Sequence, residues 1–74
     1  MNNTDAKNTQ VGGSHYKDMA IKPRDYIKAN NIGWDEGNAI KYISRWRSKN
    51  GIQDLEKAIH YLQMVIDEEK ENNN

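Results

Sequence analysis

The stretch GIQDLEKAIHYLQMVI, Gly51 to Ile66, decides the fold. Ile52, Leu55, Ile59, Leu62 and Ile66 recur at alternating spacings of three and four, and Ala58 and Val65 widen the stripe. This is the heptad-like period of a long amphipathic helix. Asp54 and Glu56 fall in its first turn, where the helix dipole favours negative charge. Immediately upstream, Lys49-Asn50-Gly51 places a cation at a helix end and then a residue able to adopt a positive φ, so it reads as a helix stop and a tight turn. The preceding segment carries Ala39, Ile40, Ile43 and Trp46 on one face, with Asp35 as the expected N-cap and Glu36 behind it. It predicts a second helix from about Glu36 to Ser48. The short turn between the two helices predicts an antiparallel hairpin.

Working further back, Pro23 suits the first position of a helix, because the N–H it lacks would have no partner there. Tyr26, Ile27 and Ala29 continue a short helix to Asn30-Asn31, and Gly33 separates it from the second helix. The expected architecture is all-α: one short helix and a long helical hairpin, with an N-terminal arm, GGSHYK (residues 12–17), laid across them. Trp34, Tyr42, Trp46 and Tyr61 are expected to fill the core and its edges. Residues 1–11 read as a disordered polar tail, 12–68 as the single domain and 69–74 as a frayed charged tail.

Composition narrows the chemistry. Seventy-four residues with no cysteine and two histidines exclude disulfides and thiolate metal sites, and argue against a structural metal. A core of roughly sixty residues is marginal by itself, which leaves assembly with further copies as the expected source of stability. No segment has the roughly 20 apolar residues of a membrane span, and no apolar signal core opens the chain, so a cytoplasmic location without membrane association is expected. The net charge is zero but unevenly placed. Residues 12–49 carry eight bases against four acids, and residues 50–74 carry two against six. A neutral total thus conceals a basic half able to hold phosphates.

Helical spacing gathers that charge. Asn38, Lys41, Tyr42 and Arg45 share one side of the second helix, and Lys57, His60, Tyr61 and Met64 share one side of the third. Where two such sides meet, ammonium, guanidinium, imidazole, phenol and amide groups suit a nucleotide: charge for its phosphates, a flat ring for its base, an amide for the base edge. The glycines of GGSHYK would let backbone N–H groups approach an anion, with Ser14, His15 and Lys17 adding donors. The same residues also suit blander roles: Tyr16 docked into the core, Lys41 and Arg45 as a solvated face, His60 paired with Glu56. There is no P-loop, Rossmann fingerprint, HExxH motif or Ser-His-Asp signature. Catalysis would have to rest on positioning and positive charge, and phosphoryl transfer is the reaction class in which those contribute most. Recognition of duplex DNA by Lys41, Arg45, Arg47 and Lys49 is disfavoured by the core-facing residues among them and by the acidic third helix next to them.

Taken in order, GGSHY, Ile-x-Pro before a short helix with Tyr-Ile, EGN followed by Lys-Tyr-Ile-Ser-Arg, and KNG followed by DLxKAxHYL span the chain apart from its tails. The sequence resembles a small phage domain found in the nucleotide kinase of short-tailed coliphages and in early proteins of phages of Gram-positive bacteria. The resemblance implies a deoxynucleoside monophosphate kinase without a Walker motif, acting in the host cytoplasm and assembled as a homo-oligomer such as a hexameric ring. ATP or another nucleoside triphosphate would be the phosphate donor, with a need for Mg²⁺ left open. Carried onto this chain, its polar positions fall on Ser14, His15, Tyr16, Lys17, Asn38, Lys41, Tyr42, Arg45, Asp54, Lys57, His60 and Tyr61. Phosphate contact is expected from Lys17, Lys41, Arg45 and Lys57, and base stacking from Tyr16 or Tyr42. Proton handling falls to His15 or His60, and Asn38 would orient the base or a phosphate. His15, Lys41, Arg45 and His60 are the expected catalytic set, and Asp54 reads as a helix-start residue. The phage kinases are longer than this chain, and Lys22 stands where they often have glutamine. The alternatives are a protein that sequesters nucleotides without turnover and an early phage protein that binds a host factor.

Overall fold

The computed structural model describes residues 18–73 and is all-helical over that range, with three α-helices and no strand. The arm GGSHYK, and with it Ser14, His15, Tyr16 and Lys17, lies outside the described residues. Helix α1 spans Pro23–Ala29, with buried Pro23 at its start. Its end is a Schellman motif built on asparagine: Asn31 takes a positive φ of 54°, Ile32 N–H donates to the Ile27 carbonyl at 3.0 Å, and Asn31 N–H donates to that of Lys28 at 3.2 Å. Asparagine tolerates this left-handed position better than most residues, which is why the chain turns where the Asn-Asn pair stands.

Helix α2 spans Trp34–Arg45 and runs into a 3₁₀ turn, Trp46–Ser48. Its N-cap is Gly33 rather than the expected Asp35, which lies inside the first turn beside Glu36. Helix formation therefore starts with Trp34, and the two acids act on the dipole instead of capping a backbone N–H. Gly51 then turns the chain with φ 62° and ψ −139°, a combination open essentially to glycine alone. A Cβ there would meet nothing within 4 Å, so the cost of a substitution is purely conformational. Gly51→Ala is expected to lose about 1–3 kcal/mol of stability, read as a lower urea midpoint with an unchanged slope.

Helix α3 spans Ile52–Asn72, continuing through the charged residues expected to fray. It packs along α2, and Ala39 and Ala58 are buried to 2% exposure. Arg45 meets Asp54 and Tyr42 meets Tyr61, so contacts move back along α2 as they advance along α3.

The face of α3 that meets α2 is not its heptad seam. Asp54, Ala58, Tyr61 and Val65 share the inner side, as their spacings of four, three and four require. The heptad seam is turned about a quarter of the way round the helix: Ile52 is 70% exposed, Ile59 65%, Ile66 46% and Leu62 43%. Trp34, expected in the core, is also bare, at 79% exposure. The side of α3 turned to α2 thus carries the small, buried Ala58, and the bulkier seam lies outside.

Candidate functional site

The turn between α2 and α3 is organised by one carboxylate. Asp54 is fully buried and accepts four hydrogen bonds. Arg45 donates from Nε to Oδ2 at 3.2 Å and from Nη2 to Oδ1 at 3.3 Å. The backbone N–H and the side-chain amide of Asn50 supply the other two, each at 3.3 Å. Burial pushes the Asp54 carboxyl up, and the bonds from Arg45 and Asn50 outweigh it, leaving the group below its ordinary value. A depressed folded value means that its contribution to stability is full above the unfolded-state value near 4 and is lost as pH falls through the lower folded value. Acid titration of the melting temperature is expected to show this decline in that window, and Asp54→Asn to remove it.

Arg45 also lies over the Tyr42 ring, 4.6 Å from its centroid, and Lys41 and Lys57 approach the same ring at 4.9 and 5.3 Å. Tyr42 in turn stacks on Tyr61 with centroids 5.9 Å apart and planes inclined by 16°. His60 sits edge-on to Tyr61 at 6.1 Å. Five of the expected site residues from α2 and α3, namely Lys41, Tyr42, Arg45, Lys57 and Tyr61, are thus brought into one cluster, with His60 at its margin. The ring quadrupole of Tyr42 holds three cations near one another.

The sequence reading missed the space beside this cluster. Between α1 and the first half of α2 lies an open groove of about 720 Å³, within the size range of small-molecule sites. Ile27, Ile32 and Gly37 contribute to its lining, and a Cβ on Gly37 would come within 3.2 Å of Ile27 Cγ2, so glycine is what lets α1 seat this close. Lys22, Arg24, Lys28 and Lys41 line it without any carboxylate, and Trp34 and Asn38 complete the polar and aromatic wall. Asn38 donates its amide to the Trp34 carbonyl at 2.9 Å, leaving its side-chain oxygen as an acceptor. Lys41 belongs to both the groove and the Tyr42 cluster and joins them into one basic surface. The signal was present in the i, i+4 pair Arg24 and Lys28 on the short helix, but nothing local says that this pair faces the same space as Trp34.

Residues 9–63 match the family described as a protein of unknown function, DUF3310. The chain belongs to the DUF3310 family. The match takes in α1, α2 and α3 as far as Gln63, so the groove, the Tyr42 cluster and the Asp54 turn of this DUF3310 protein all lie within the family's span. No curated protein and no solved structure matches the chain. Among the described residues of the DUF3310 protein there is no cluster of metal-ligating side chains and no helix long and apolar enough to cross a membrane.

Proposed function

We propose that this phage protein binds nucleotides on the surface formed by the α1–α2 groove and the Tyr42 cluster, and acts there as a deoxynucleoside monophosphate kinase in the host cytoplasm. The observation that carries the reading is the groove itself: four cations, no carboxylate and a bare indole around one space. Phosphates would be held by Lys28 and Lys41 with Arg24 and Lys22 close by, and by Lys57 on the cluster side. Base stacking passes from Tyr42, whose ring is already engaged by Tyr61 and three cations, to Trp34. Stacking on an exposed aromatic is worth about 1–3 kcal/mol per base. Asn38 offers its oxygen to the edge of the base, and His60 remains the described candidate for proton handling.

In the reaction an oxygen of the monophosphate attacks the γ-phosphorus of ATP or another triphosphate, the bond to the bridging oxygen breaks, and a nucleoside diphosphate leaves. The lysines would offset charge on the transferring group, the main contribution open to a protein without a P-loop. The hairpin arrangement of α2 and α3 and assembly into a homo-oligomer, such as a hexameric ring, are part of the same proposal.

A second reading has its own support. Arg45 is bound through two nitrogens to Asp54 and its side chain is 13% exposed, so its guanidinium is committed to the fold. A site that loses this donor suits binding without turnover, hence nucleotide sequestration. The deciding experiment incubates the protein with ATP and each deoxynucleoside monophosphate, with and without EDTA, and separates products by anion exchange. Diphosphates that are absent with Lys41→Ala establish the kinase. Saturable binding with no product establishes sequestration, and neither binding nor product leaves the host-factor reading.

A further inference from the structure

The seam on the outside of α3 has no partner within the described residues, although it is the most regular apolar pattern in the chain. The apolar side chains buried inside the described fold are the small ones of Pro23, Ala39 and Ala58, and the largest fully buried side chain is Asp54. Meanwhile Ile52, Ile59, Leu62 and Ile66 form one contiguous stripe, with Leu55 half-buried between them. Apolar patches beyond a few hundred Å² are rarely left bare on a monomer and commonly mark an interface.

The charges beside the stripe specify the occupant. With Ile52, Ile59 and Ile66 at the a positions and Leu55 and Leu62 at d, the e positions are Glu56, Gln63 and Lys70, all exposed. The g positions Ala58 and Val65 lie on the side turned toward α2. In an antiparallel pair of identical helices, a packs against d of the other copy and e faces e. The register that sets Ile59 against Leu62 of the partner subunit also sets Leu55 against Ile66 of the partner subunit. It gives four apolar layers, and side chains lean toward their own helix N-termini, so Glu56 converges on Lys70 of the partner subunit, twice by symmetry. A parallel pair in register would instead set Glu56 against Gly51 and Lys70 against Val65, with α2 wedged into the contact. Shifting the antiparallel register by one heptad matches Glu56 with Gln63 and loses the charge pairs. Neither Glu56 nor Lys70 has an ion-pair partner among the described residues of its own chain.

We infer that α3 pairs with α3 of a second copy, antiparallel, along Leu55, Ile59, Leu62 and Ile66, with Glu56 and Lys70 forming reciprocal salt bridges between the copies. Both α2 helices then lie on the same side of the pair, and the half-exposed Ile43 of each lies on the flank that closes over it. This surface is separate from the basic groove, and its test needs no nucleotide.

Sedimentation equilibrium of the full chain at low ionic strength, over a wide concentration range, measures the dimer dissociation constant. Ile59→Glu is expected to weaken it by at least a hundredfold while circular dichroism shows retained helix. Glu56→Lys and Lys70→Glu, each placing like charges opposite one another, are expected to weaken it about tenfold apiece. The double reversal should recover to within about twofold of the original value. A chain that stays monomeric up to millimolar concentration would overturn the inference and assign the seam to another segment of its own chain. Association unaffected by either single reversal, or not recovered by the double one, would overturn the antiparallel register.

Discussion

Asp54→Ala is expected to cost about 3–5 kcal/mol, the range found when one member of a buried ion pair is removed. The variant loses four hydrogen bonds at once, two of them from the largely buried Arg45. It also strands the backbone N–H of Asn50 beside the Gly51 turn. A core of this size rarely supplies more than about 3–5 kcal/mol, so the variant should be largely unfolded at room temperature. Far-UV circular dichroism during urea titration checks it. The physical cause is testable separately: replacing the pair together, Arg45→Met with Asp54→Leu, should recover much of the loss, since apolar residues of similar volume can take over from a buried ion pair. If Asp54→Ala melts like the parent protein, the turn is not held by this carboxylate.

The second large effect falls on binding. Lys28→Ala with Lys41→Ala removes two of the four groove cations and should weaken nucleotide affinity by a hundredfold or more, at about 1.5–3 kcal/mol for each hydrogen bond to a charged group. The substitutions keep helix propensity, as alanine is the best helix former, and Lys28 is exposed, so the melting temperature without ligand should hardly move. Trp34→Ala is expected to lose roughly tenfold or more through stacking alone, with no change in phosphate dependence. Calorimetric titration with a deoxynucleoside monophosphate and with inorganic phosphate separates the two contributions. The lysine pair should affect both ligands, and Trp34 only the nucleotide.

The range of the forces involved decides which parts of this molecule were legible in its sequence. The end of α1 at the Asn30-Asn31 pair, the glycine turn at Gly51 and the existence of three helices rest on local conformational preferences, and the residues at those positions state them directly. The start of α2 at Trp34 rather than behind an Asp35 cap shows the usual softness of a helix end. The inner face of α3 was not legible, because Ala58, Tyr61 and Val65 form a second stripe beside the stronger Ile and Leu seam, and periodicity ranks stripes by bulk. The alanines at 39 and 58 are buried on that side. Asp54 looked like a dipole residue because its burial depends on Arg45, nine positions earlier, folding back across the turn.

The candidate site divides in the same way. Lys41, Tyr42, Arg45, Lys57 and Tyr61 were found from helical spacing and do converge, whereas Lys22, Arg24, Lys28 and Trp34 join the site only through the packing of α1 on α2. Ser14, His15, Tyr16 and Lys17 lie outside the described residues.

The most direct test of the nucleotide reading is isothermal titration of the unmodified protein with a deoxynucleoside monophosphate and with ATP, paired with thermal melting at the same ligand concentrations. Saturable heat is predicted, lost with Lys28→Ala and Lys41→Ala, together with a stabilisation of about 2.7 kcal/mol at roughly one hundred times the dissociation constant. No heat and no change in melting temperature at millimolar nucleotide, from protein that is folded by circular dichroism, would contradict it.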